Sequence, residues 1–169
     1  MGDPRLSRLV VSEQHVQSIN ACLDRLVEEG NTRYALLLDR SGQLVTCRGE
    51  PQRTQLDAMG ALLAGNFASA HEIAKLIGED NFGAVLQQGQ HQHIFTARVS
   101  DHWMLSVVFD ARTPVGLVKV LCRRAAIALG RVHDAVCQAN RNPDGGWKVD
   151  QSFRVLAQQT IDVLLQDGS

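Results

Sequence analysis

Residues 54–79 read TQLDAMGALLAGNFASAHEIAKLIGE, and no other stretch restricts the fold as strongly. At about 100° per residue, Leu56, Met59, Leu63, Phe67, Ala70, Ala74 and Ile77 fall on one helical stripe suited to burial. The opposite row holds Asp57, Ala61, Gly65, Ala68, Glu72 and Lys75, and its middle has almost no side chain. Solvated helix faces usually carry Glu, Lys, Gln or Arg, which hydrate well and keep good helix propensity. Gly65 forgoes about 1 kcal/mol relative to alanine, and nothing in the local sequence offsets it. Two readings fit this face. In one, the helix is buried on both sides of its own domain or simply shows an alanine-rich surface; in the other, the row lets a second helix or a flat partner approach closely.

The flanking residues supply a sheet for this helix. Glu13–Glu29 places Val16, Ile19, Cys22, Leu23, Leu26 and Val27 at amphipathic spacing, with Ser12 as the N-cap and Gly30-Asn31 as the stop. Tyr34–Asp39 and Gln43–Arg48 flank the turn Asp39-Arg40-Ser41-Gly42. The leucines there would also suit a buried helical turn, but the turn residues decide for a β-hairpin. Gly49-Glu50-Pro51 leads into the central helix, and Gly78 ends it. Phe82–Gln87, Ile94–Val99 and Trp103–Phe109 then form an antiparallel meander, parted by Gly89-Gln90 and Ser100-Asp101. Pro114 opens a last long helix, where its missing N–H costs nothing, and Val115, Val118, Leu121, Cys122, Ala125, Leu129, Val132 and Val136 form its apolar side. The expected fold is an α+β sandwich of order α-β-β-α-β-β-β-α, with a five-stranded antiparallel sheet and at least one edge strand open to pairing.

This domain spans residues 1–139. A turn-rich linker, 140–151, contains Asn142-Pro143-Asp144-Gly145-Gly146. Residues 152–167 form a short amphipathic helix, in which Phe153, Leu156, Thr160, Val163 and Leu164 keep helical spacing. A helix that short is marginal alone. It either docks back on the domain, shielding Trp147 and Phe153, or orders on a partner.

Composition excludes several classes of partner. A formal charge of −1 and the lack of any polybasic run leave no footprint for nucleic acid or an anionic membrane. The start, MGDPRLSRLVV, lacks an apolar core of signal-peptide length, and no apolar run approaches a membrane span, so a cytoplasmic protein is expected. Cys22, Cys47, Cys122 and Cys137 form no Cys-x-x-Cys pair and read as small buried or half-buried hydrophobes.

The sequence also offers little catalytic chemistry. Neither a phosphate-binding Gly-x-x-x-x-Gly-Lys-Ser/Thr loop nor a Gly-x-Gly-x-x-Gly turn occurs, so no nucleotide cofactor is expected. His91, His93 and His102 sit on or beside strands, but a metal would need further donors; a polar strand face is the simpler reading, and no metal is expected. Ser106 and Asp110 have no motif pairing them with a histidine. Arg112, Arg123, Arg124 and Arg131 read as a solvated flank, with an arginine finger acting on another protein's phosphate as the sharper alternative.

Several stretches resemble the Roadblock/dynein-light-chain superfamily, and within it the bacterial MglB branch, partners of the Ras-like GTPase MglA. They are Cys22-Leu23-Asp24-Arg25-Leu26, Leu38-Asp39-Arg40-Ser41-Gly42-Gln43-Leu44, Leu63-Ala64-Gly65-Asn66, Ala74-Lys75-Leu76-Ile77-Gly78-Glu79, Val108-Phe109-Asp110-Ala111-Arg112-Thr113 and Gly116-Leu117-Val118. The resemblance runs from about Glu13 to Val132. It implies a homodimer with sheets joined edge to edge and central helices side by side. It further implies that two protomers bind one MglA-like GTPase and accelerate hydrolysis by resetting the GTPase's own switch and catalytic residues, in cell polarity or motility and at a cell pole. The protein would then be a regulator with no active site of its own. Ala61, Ala64, Gly65, Ala68, Glu72 and Lys75 would form the dimer and GTPase face, and Phe153, Leu156, Ile161, Val163 and Leu164 the contact face of the C-terminal helix. A scaffold that binds a small GTPase or another partner without changing hydrolysis is the alternative, since both would use the same surface.

Overall fold

The computed structural model describes residues 11–51 and 55–141. Its elements are α1 (Glu13–Gly30), β1 (Tyr34–Asp39), β2 (Leu44–Gly49), α2 (Leu56–Leu76), β3 (Ala84–Gln88), β4 (Gln92–Arg98), β5 (Trp103–Asp110) and α3 (Val115–Arg141). The expected order holds throughout. Ser12 caps α1 by accepting from the His15 N–H, and Asn31 takes the left-handed conformation that closes the helix. In the hairpin turn, Asp39 Oδ1 accepts from the backbone N–H groups of Ser41 and Gln43 at 2.8 and 2.9 Å, a local bond network that reverses the chain.

All strand pairs are antiparallel, in the order β2-β1-β5-β4-β3. The two hairpins therefore join through β1 and β5, the most apolar strands, and both lie in the middle of the sheet. Leu37 pairs with Thr46 and Leu38 with Leu44, which leaves Val45 as a bulge. The bulge lets Leu44 and Cys47 both reach the same hydrophobic cluster.

Strand alternation divides the core in two. Leu105, Val107 and Phe109 join Ile19 and Leu23 of α1 and Val118 and Leu129 of α3 on one face. Met104 and Val108 join Leu36, Leu38, Leu56 and Leu63 on the other, which among the described residues α2 alone covers. Across the first face, Arg48 of β2 holds Asp24 of α1 through two bonds of 2.6 and 3.0 Å, and this pairing keeps Arg48 charged more firmly than usual.

The structure adjusts some expected boundaries. α3 continues to Arg141, two residues past the expected domain limit, and residues 142–169 lie outside the described residues, with them most of the expected linker and all of the C-terminal helix. β3 begins at Ala84 rather than Phe82, and β4 spans Gln92–Arg98 rather than Ile94–Val99, because the β3–β4 ladder runs from Ala84↔Ala97 to Gln88↔His93. All four cysteines are free; Cys47 and Cys122 are buried and the other two half-buried, as their spacing suggested.

Candidate docking face on the central helix

The position of α2 on the sheet is set by glycine. Gly60 is buried, and its backbone lies against that of Gly42 in the β1–β2 turn, where Gly42 has φ +89°. A Cβ built on Gly42 would come within 2.6 Å of the Gly60 carbonyl oxygen, so a side chain at this crossing would push helix and hairpin apart. The other end of α2 is closed by Gly78 at φ +82°: the N–H groups of Gly78 and Glu79 donate to the carbonyls of Lys75 and Ala74, the paired bonds of a Schellman stop.

Between these anchors the inward stripe is largely as expected. Leu56, Leu63 and Ala74 are buried, and Met59, Phe67 and Ala70 half-buried. Ile77 is the exception, 66% exposed, because the helix ends at Leu76 and Ile77 serves as its cap rather than lying over the sheet.

The outward face holds the expected row. Ala61, Gly65, Ala68, Glu72 and Lys75 are all exposed, and a Cβ on Gly65 would meet nothing within 4 Å. Burial on both sides within its own domain is therefore ruled out among the described residues. Ala64 departs from the expectation: it is half-buried against the inner cluster, one step around the helix, and borders the face instead of lying on it. Lys75 Nζ donates to Glu72 Oε1 at 2.9 Å, and this bond holds the Glu72 carboxyl below its usual range.

A second row on the same face was not anticipated. Leu62, Ile73 and Leu76 are 74%, 53% and 86% exposed. With Ser69 they follow i, i+7, i+11, i+14 spacing, and Gly65 is the member of the small row that borders them. The sequence did contain a signal: beyond its buried stripe, α2 still has three large apolar residues, too many for a helix with one solvated face. The result is a face of small residues beside an apolar ridge, open to close approach by a flat or helical surface. His71 flanks it, half-buried, with Nδ1 lacking a hydrogen-bond partner among the described residues.

β3 is an edge strand, with Ala84, Gln87 and Gln88 exposed, and among the described residues no further strand pairs with it. His93 lies on β4 with its ring 5.3 Å from that of Phe109, and the His102 ring lies 5.6 Å from that of His133. Among the described residues no group of three or more His, Cys, Asp or Glu could hold a metal ion. A shallow cavity of about 380 Å³ lies near the C-terminal end of α1, where Glu28 and Glu50 offset Arg33 and Arg112. Arg112 is bound to the Asp110 carboxylate, whose pKa this pairing lowers to about 2. Arg123, Arg124 and Arg131 are exposed on α3, across the sheet from α2. Phe153, Leu156, Ile161, Val163 and Leu164 lie outside the described residues.

A five-stranded antiparallel sheet between one exposed central helix and a pair of helices defines a class, and the Roadblock/LC7 domain matches residues 19–109. The chain belongs to the Roadblock/LC7 family. MglB of Myxococcus xanthus is 33% identical, over 69% of this chain and 95% of that one, with a TM-score of 0.67. The gliding protein MglB of Thermus thermophilus is 32% identical, over 75% and 96%, with a TM-score of 0.71. An MglB with a tetrameric arrangement is 31% identical, over 77% and 97%, also at 0.71. Among curated protein sequences none matches. Within the family this chain is an MglB-type Roadblock protein.

Proposed function

We propose that the protein is a homodimeric activator of an MglA-like, Ras-family small GTPase. Two of its protomers bind one GTPase and act on that protein's own switch and catalytic residues, in cell polarity or motility. The observation that carries this reading is the outward face of α2, where exposed Ala61, Gly65 and Ala68 adjoin exposed Leu62, Ile73 and Leu76. Such a face suits protein contact. The similarity to MglB structures supports the choice of partner class. In this reading the edge of β3 provides the self-association surface and the small row of α2 receives the GTPase.

The location of the arginines supports the proposed mechanism. A GTPase seated on α2 would have the sheet between it and Arg123, Arg124 and Arg131, and none of these could reach its nucleotide. Acceleration would come from preferential binding to the hydrolysis-competent switch arrangement, a shift of population within the partner. The protein is then a regulator without an active site. Its place of action in this reading is the cytoplasm, at a cell pole. No helix among the described residues is long and apolar enough to cross a membrane.

The test is single-turnover GTP hydrolysis by the MglA-like GTPase of the same organism, with and without this protein. The proposal expects strong acceleration that saturates at two protomers per GTPase. Binding with no change in the hydrolysis rate would overturn it and make the protein a scaffold.

A further inference from the structure

α3 carries a second uncovered apolar row. Leu117, Val120 and Ile127 are 41%, 50% and 55% exposed, while Val118, Leu121, Cys122, Ala125 and Leu129 face the core. Among the described residues nothing covers the row. Three aliphatic side chains, with Arg124 between Val120 and Ile127, share one line of a solvated helix and point to an amphipathic occupant.

Residues 142–169 leave from the end of this same helix, and three features of their sequence fit the row. Pro143, Gly145 and Gly146 lie within five residues of Arg141 and suit a reversal of the chain. The lengths agree: as a helix Phe153 to Leu164 spans about 17 Å, Leu117 to Ile127 covers about 15 Å, and Ile127 lies about 21 Å back from Arg141. Residues 142–152 bridge that return, since eleven residues reach up to about 36 Å when extended. Charge agrees as well. On α3, Lys119, Arg123, Arg124, Arg131 and Arg141 against Asp134 give a formal +4, and in residues 142–169 Asp144, Asp150, Asp162 and Asp167 against Lys148 and Arg154 give −2.

We infer that residues 152–167 dock on their own chain, as an amphipathic helix antiparallel to α3, over Leu117, Val120 and Ile127. Phe153 then meets Ile127, and Leu164 meets Leu117. The docked segment lies across the sheet from α2, so it leaves the α2 face free for other partners. This assignment does not depend on what binds α2.

A photo-crosslinking amino acid at Val120, in the full chain, tests it. Equal amounts of 15N-labelled and unlabelled protein are mixed before irradiation, and linked peptides are identified by mass spectrometry. The expected links run from position 120 to peptides within 152–167 and are isotopically unmixed. Leu156→Asp combined with Leu164→Asp should lower their yield at least about tenfold, while the circular dichroism of the folded domain is retained. Mixed light–heavy links would make the row an interface between copies and overturn the proposal. Links that miss residues 152–167, or that persist at full yield in the double variant, would overturn it too.

Discussion

Gly42 of the β1–β2 turn and Gly60 of α2 pack backbone against backbone, and this crossing sets how far the central helix stands from the sheet. Gly65, five residues on in the same helix, has open space where a Cβ would be. The two glycines therefore respond to the same change with opposite sign. Gly60→Ala drives a methyl into the hairpin and should cost about 1–3 kcal/mol. Gly65→Ala should raise chain stability by up to about 1 kcal/mol through helix propensity. Urea midpoints of both variants check this, and equal shifts would show that the crossing does not fix α2.

The apolar ridge should matter for partners and not for the fold. Leu62→Asp and Ile73→Asp replace exposed side chains and should leave unfolding free energy within about 0.5 kcal/mol of the parent. GTPase binding, measured by calorimetry, should weaken at least about tenfold for each, the loss expected when one buried aliphatic contact disappears. Parent-like affinity in both variants would remove the ridge from the interface.

Ala68→Arg probes the small-residue row instead. A long cation in place of a methyl blocks close approach, so GTPase binding should be abolished while the fold and the homodimer persist. Circular dichroism and sedimentation read the two controls. Wild-type affinity in this variant would dismiss the row as a GTPase contact.

His133 makes stability depend on pH. Its ring is buried, edge-on to Trp103 at 4.9 Å and 5.6 Å from His102, with Cys137, Asp134 and Asp101 also nearby. Burial first, and the charge of His102 second, hold its pKa below the ordinary 6.5. The unfolded chain therefore takes up a proton at higher pH than the folded one. Stability from this site is fully present above pH 6.5 and falls as the pH drops through that value toward the lowered folded pKa. Melting temperatures across this window should decline with acid, and His133→Gln should flatten the slope. An unchanged slope would assign the acid sensitivity to other groups.

The thiols should fall into two classes. Burial raises Cys47 and Cys122 to about 12, and both are shielded from solvent. Cys22 and Cys137 are raised less and are half-buried. In the native protein a thiol reagent should modify Cys137 and Cys22 first, with Cys47 and Cys122 following only on unfolding. Peptide mapping after timed labelling distinguishes this from uniform reaction.

What the sequence determined by itself was local and periodic. Tyr34–Asp39 emerged as a strand with the limits it has in the fold, because a short apolar run ending in an Asp-x-Ser-Gly turn has one good local solution. The inward stripes of α1 and α3 and the Gly78 stop of α2 followed from 3.6-residue spacing and glycine's access to positive φ. The small row around Gly65 was legible for the same reason. Tertiary structure decided what depends on where one element ends over another. Ile77 left its stripe because α2 stops at Leu76, and Ala64 turned toward the inner cluster. Leu62, Ile73 and Leu76 became an exposed ridge because, among the described residues, α2 is the one helix on its sheet face. Periodicity records that a residue is apolar and on which side of its helix it stands; only the packed fold determines whether another element of the same chain lies there.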